Sequence, residues 1–214
     1  MKFTLPIVLC LVVLSATSAD AQTCAGAPSF RDNPFQIGVS AAFRDGAQGV
    51  GGSFAGGGDD IFGAAGVSVL NFSNVDSSAT SVSGTIGADL QADQGGRVFV
   101  CPVGQIAFGA GPDFGAVDIS TFTLSGGGSV GVVASQGNTL AVIPTFGLFA
   151  VHTRLTAEAR GQEETESDAS GLASIGVGFV FNRNVAIIPE VLVPFSAGNA
   201  DAVFSIHFAF SFGR

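Results

Sequence analysis

The side chains in this chain that could do chemistry are few, and most sit at alternate positions of otherwise apolar stretches: Asp89, Glu190 and His207, with Gln36 and Gln105 as polar companions. A carboxylate beside an imidazole is the elementary pair for moving a proton near neutral pH. Glu190 and His207 fall on the last two extended segments with matching parity, so they are expected to meet across one ladder. Catalysis would also need a nucleophile and a third, orienting group, and a pair that only stabilises an interior is the simpler reading. His152 with Asp168 or Ser170 offers the residue types of a hydrolase, but at a spacing that carries no known signature. Glu158, Glu163, Glu164, Glu166 and Asp168 form the one strongly charged segment, EARGQEETESDAS, which reads as a solvated loop able to attract divalent cations or cationic ligands.

The opening MKFTLPIVLCLVVLSATSADAQ has one lysine, an apolar run from Leu5 to Leu14 and small residues up to Ala21. That is the pattern of a secretory signal peptide over 1–21. Of the three cysteines, Cys10 lies inside this signal, which leaves Cys24 and Cys101. A pair of cysteines in an exported chain favours a disulfide over two free thiols. Zinc wants about four ligands, and only His152 and His207 could be added, so no metal is expected. Glycine-rich turns without a following helix give no nucleotide site, and no cofactor is expected. Acids outnumber bases to a net charge of −9, so nucleic acid, which needs clustered Lys and Arg, is excluded as a partner.

What must position these groups follows from composition. Hydrophobic residues make up 47% and charged ones 12%, against about 25% charged in a typical soluble domain. After the signal no long uncharged run of helical type exists. In lipid only helices and closed barrels pair every backbone group internally, so an all-β, antiparallel, up-and-down transmembrane barrel is expected over 35–214, preceded by a periplasmic leader over 22–34.

The last segment, AVFSIHFAFSF, sets the rhythm: Phe204, Ile206, Phe208, Phe210 and Phe212 on one face, Ser205, His207 and Ser211 on the other. Alternating segments with turn chemistry between them predict ten strands, or eight if the second and fifth are not independent. Connections alternate between tight turns and longer, more polar loops, as in barrels with short periplasmic turns and long external loops. Cys101 then falls at the periplasmic end beside the leader that carries Cys24. Small inward residues such as Ser40, Ser83, Thr85, Gly176 and Ser205 suit either a narrow wet lumen or close packing. A secreted β-sandwich with its Phe faces as an inter-sheet core is the soluble alternative.

The signal peptide, the hairpin GVGFVFNRNVAIIPEVLVPF from Gly176 to Phe195 and the closing strand resemble the small bacterial outer-membrane β-barrel proteins, the superfamily of porin-like and transmembrane-anchor barrels. The resemblance covers about 35–212. It implies an outer-membrane location and contact with outer-membrane lipid and lipopolysaccharide, whose phosphates cations could bridge to the acidic segment. It also implies an assembly signal read by the barrel-insertion machinery, carried by Phe208, Phe210 and Phe212, although Gly213 and Arg214 follow the terminal aromatic. The expected function is non-enzymatic, a narrow pore or a structural or surface-interaction barrel. A lipid-modifying enzyme or protease is the alternative, and the oligomeric state stays open.

Overall fold

The structure is a computed structural model that describes residues 25–31, 33–58, 60–73, 77–112, 117–137, 139–195 and 201–213. The proposed signal peptide and Cys24 lie outside the described residues. The strands are β1 (Phe35–Arg44), β2 (Ala47–Gly57), β3 (Ile61–Phe72), β4 (Ser77–Ala88), β5 (Leu90–Gln91), β6 (Val98–Ala110), β7 (Val117–Val132), β8 (Ser135–Gln136), β9 (Leu140–Ala159), β10 (Gln162–Phe181), β11 (Val185–Pro194) and β12 (Val203–Phe212). β5 and β8 have two residues each and prolong their neighbours, which leaves ten staves. Each pairs antiparallel with the next, and β12 returns to β1 through nine partners from Phe35–Phe212 to Phe43–Phe204, closing the barrel. Closure is the physical reason an all-β chain can present an apolar outside: no edge is left unpaired around the girth.

Alternation decides which side chains face out. On β12, Phe204, Phe208 and Phe210 are exposed while Val203, Ser205, His207, Ala209 and Ser211 are buried. The same rhythm puts Ile37, Val39, Val67, Ile86, Ile106, Leu124, Phe146 and Ile175 on the outer surface. That is the reverse of a soluble protein, and it rules out the β-sandwich, whose Phe faces would be hidden between sheets. Phe35, Phe54, Phe210 and Phe212 form a ring chain, with centroid spacings of 6.0–6.1 Å, at the end of the barrel where both termini of the described chain lie. We call this the near end.

Two features depart from the sequence reading. The acidic segment is strand rather than loop: β9 and β10 run 20 residues each and pair from Phe181–Leu140 to Gln162–Ala159. Only Arg160 and Gly161 turn the chain, at φ 53° and 75°, the left-handed pair that a two-residue hairpin needs. A strand of this length extends roughly 66 Å. Tilted near 40° it stands about 50 Å tall, twice an apolar band of about 25 Å. The hairpin therefore projects well past the far end.

The second departure is the leader, expected to lie in the periplasm beside the barrel end. Residues 25–31 instead enter the near mouth, with Ala27 fully buried and Phe30 nearly so.

Candidate functional site

The inside of the barrel is stacked in three storeys. Toward the far end, Leu70, Val151, Leu155, Leu172, Leu192 and Val203 pack into one apolar cluster drawn from staves on opposite sides of the barrel, with Phe72 and Phe149 against it. Side chains that meet across the lumen in this way fill much of it.

The middle storey is polar. Closer to the near end, one step in from the Phe35–Phe212 pair, Gln36 Nε2 donates to Ser211 Oγ at 2.8 Å, a contact fixed by their direct register across β1 and β12. His207 Nε2 lies 3.1 Å from Ser205 Oγ and 3.4 Å from Glu190 Oε2, and Ser205 Oγ donates to the same carboxylate oxygen at 3.5 Å. The pairing expected of Glu190 and His207 is therefore present, with Ser205 directly opposite Glu190 in the ladder. A serine, a histidine and a carboxylate together invite comparison with a hydrolytic triad, but the geometry is different. There the imidazole stands between hydroxyl and carboxylate and uses one nitrogen for each. Here one nitrogen serves both partners and the serine bonds the carboxylate itself, a closed triangle with His207 and Ser205 fully buried. Gln105 is buried in the same storey, with Ser125 Oγ donating to its Oε1 at 3.5 Å.

The third storey is the near mouth, filled by the leader. Ala27 joins Ile143, Val180, Ala186, Ile188 and Ala209, and Phe30 joins Ala55 and Phe62. The Phe30 and Phe62 rings stack at 5.7 Å. Two glycines make room. A Cβ on Gly178 would run into the Gly26 backbone, and one on Gly87 into the Phe62 ring.

Asp89 anchors this plug. Pro102 has no N–H to give the ladder, and β4 ends opposite it, resuming as β5 between the partners Gly87–Val103 and Leu90–Val100. Asp89, in the gap, turns inward against fully buried Cys101, whose Sγ lies 3.8 Å from Asp89 Oδ1. Ser29 Oγ donates to the other carboxylate oxygen at 3.2 Å. Arg31 closes the latch from outside, donating to Asp60 Oδ1 at 2.8 Å and to the Asp89 carbonyl at 3.4 Å. Burial pushes the Asp89 carboxyl above the ordinary range, against the opposing pull of the Ser29 hydroxyl and the Arg31 charge. Beside it, Asp93 accepts from the backbone N–H groups of Val98, Arg97 and Gly95, which hold its carboxyl below the ordinary range and fix the turn into β6.

Of the residues singled out in the sequence, Asp89, Gln105, Glu190 and His207 all face inward, but in different storeys, and only Glu190 and His207 touch. The acidic residues divide by parity. Glu164, Glu166 and Asp168 share the inner face of β10, whereas Glu158 and Glu163 stand opposite each other on the outer face. His152 is exposed on the outer face of β9, opposite Ala169. Asp168 and Ser170 point the other way, so the hydrolase constellation does not assemble. Among the described residues no cluster of His, Cys, Asp or Glu could hold a metal ion. The plug residues Ala27, Ser29, Phe30 and Arg31 were missed by sequence reasoning; the available signal was a lone phenylalanine in a leader with no other large apolar residue.

No protein-family profile and no curated protein sequence matches this chain. Solved structures do. Ail, the attachment invasion locus protein of Yersinia pestis, is 14% identical with a TM-score of 0.42, covering 83% of this chain and 95% of its own. Neisserial surface protein A is 11% identical at 0.43, covering 84% and 97%, and the KdgM porin 9% identical at 0.42, covering 83% and 99%. Likeness this distant assigns no function, which has to be argued from the chain's own residues.

Proposed function

We propose that this chain is an integral outer-membrane barrel of a Gram-negative-type bacterium that works closed, as a structural and surface-display protein and not as a pore or an enzyme. The observation that carries this reading is the double seal of the lumen, the apolar far cluster and the leader plug. Between the two lies a storey of buried polar side chains. The outward apolar staves supply the membrane-facing surface, and the near end, where both ends of the described chain and the plugging leader lie, is the periplasmic side. Residues 1–21 act as the export signal and 22–34 as the plugging leader. Cys24 bonds Cys101, a pairing supported by the full burial of Cys101 beside the point where the leader enters. Phe208, Phe210 and Phe212, aligned on the lipid face of the closing strand, serve the barrel-insertion machinery, and lipopolysaccharide surrounds the outer half.

The test is reconstitution into planar bilayers. A closed barrel migrates differently on gels when boiled, needs detergent for extraction, and passes no current. Regular single-channel steps, lost on replacing Ser205 with Phe, would establish the pore in its place, and extraction without detergent would remove the membrane assignment altogether.

A further inference from the structure

Resting on the membrane reading above, we infer that the outer wall of β7, β9 and β10 binds one phosphorylated glycolipid of the outer leaflet, with an acyl chain in a wall groove and a phosphate on Arg154 and His152. The groove has a volume of about 560 Å3 and is lined by Gly126, Leu148, Ala150, Ala169, Gly171 and Phe195. It is a shallow, open trough, the shape that takes one side of an extended chain rather than an enclosed ligand. Gly126, Ala150 and Gly171 are direct ladder partners in one row across the three staves, which forms the floor. The Phe195 ring lies where a Gly171 side chain would stand and walls one end, and Leu148 lines the edge toward the membrane centre.

The position along the barrel axis selects the ligand. Leu148 is half exposed on the lipid side of this wall, whereas the next outward residues on β9 and β10 are His152, Arg154, Thr156, Ser167 and Thr165; on β7 the apolar face continues, with Leu124 opposite His152 and Phe122 opposite Arg154. On β9 and β10 the apolar surface therefore ends at the groove. His152 and Arg154 stand two and four residues beyond Ala150 on the same face, about 7 and 14 Å farther out, and both are exposed. The Arg154 guanidinium at that height, with the His152 imidazole as a hydrogen-bonding neighbour, complements a lipid with an anionic head above an apolar trough. Arginine adds the bidentate geometry that favours phosphate. Glu158, four residues beyond Arg154 on the outer face and opposite Glu163, sets the upper limit: a phosphate there would meet two carboxylates. The ligand is thus held by its head and by one chain, and free phosphate lacks the second half of the site.

The experiment measures lipid retained by the folded barrel, purified in detergent, by native mass spectrometry with diphosphorylated lipid A, dephosphorylated lipid A and inorganic phosphate. Wild type should retain one diphosphorylated molecule. The double variant Arg154→Gln, His152→Gln and the groove-filling Ala150→Leu should each lower retention about tenfold, as expected for loss of charge-assisted bonds or of the chain site. Inorganic phosphate alone should not be held. Equal retention by wild type and both variants, or equal retention of the dephosphorylated lipid, overturns the site. All three changes lie on the outer surface, so heat-modifiable migration of each variant shows separately that the barrel stands. A protein that stays in solution without detergent overturns the membrane reading and this inference together.

Discussion

Phe30, in the leader, stacks on Phe62 of β3 with ring centroids 5.7 Å apart and planes within 16° of parallel. The leader is therefore part of the barrel's hydrophobic core, and the near storey is incomplete without it. Stacked aromatic pairs contribute about 0.5–1.5 kcal/mol beyond the burial of their area, and each ring here also replaces water against Ala55.

Removing that ring should release the leader before it disturbs the staves. Phe30→Ala is expected to cost about 3 kcal/mol, the low end for a buried phenylalanine, concentrated on residues 25–31. Trypsin added to the periplasmic side of reconstituted protein would then cut at Arg31, which the latch to Asp60 and Asp89 shields in the wild type. Unchanged protection of Arg31 would show that the plug does not depend on this stack.

Asp89 gives the plug a pH dependence of definite sign. Its carboxyl is raised by burial, so the folded protein holds this proton at pH values where the unfolded chain has lost it. The stabilisation is fully present below the ordinary carboxylate range and is lost as pH rises through the raised folded value. The midpoint of heat modification should fall across that window and flatten in Asp89→Asn. A wild-type midpoint that rises over the same range would reverse the assignment.

Much of the fold was legible because the barrel obeys a single rule, period two with apolar residues out, and the Phe-rich closing strand displays it without interruption. The Glu190–His207 contact was legible for the same reason, since parity and adjacency fix it. The hairpin tip was misread because glutamate and aspartate ordinarily mark solvated loops. Here the ladder is held by twenty paired positions, and charge says only that the strands have left the lipid. The plug was illegible because Ala27 and Phe30 become core only through contacts with Ile143, Phe62 and Ala186, which no local pattern announces.

The bond from Cys24 to Cys101 would close a loop long enough for a stabilisation of about 4 kcal/mol in the chain-entropy account. Intact mass without reductant should come out two hydrogens below the reduced value. Cys101→Ser should lower the unfolding midpoint and raise leader cleavage to the level of Phe30→Ala. Two alkylatable thiols in the unreduced, unfolded chain would dispose of the bond.

The buried triangle should behave as a coupled structural unit. Removing either end costs the two remaining groups a buried hydrogen bond each while leaving them bonded to one another, at about 0.5–1.5 kcal/mol per bond. Glu190→Gln and His207→Gln measured singly and together in urea should therefore show a coupling of about 0.5–3 kcal/mol. Strict additivity would mean that the 3.4 Å contact contributes nothing.

The projecting hairpin, by contrast, should be separable from barrel stability. Ala157 and Glu164 are direct partners across β9 and β10, two steps below the native turn pair Ala159–Gln162 and so of the same hydrogen-bond type, so residues 158–163 can be replaced by Asn-Gly, whose preference for left-handed backbone suits the same two-residue turn. The cut lies beyond the buried Leu155 and beyond Ala157, which packs against the far cluster; it removes Glu158 and Glu163 and strips partners from β7 only at Val117 and Asp118. Since the packed lumen and the lipid-facing staves lie below the cut, the stability measured by urea unfolding should fall by no more than about 1 kcal/mol, the scale of a few exposed strand pairs, and the midpoint of heat modification should shift correspondingly little. Binding of cationic ligands to whole cells should fall with the lost carboxylates. A barrel that fails to insert after this change would show that the tip belongs to the folding core and would remove the reason for regarding it as display.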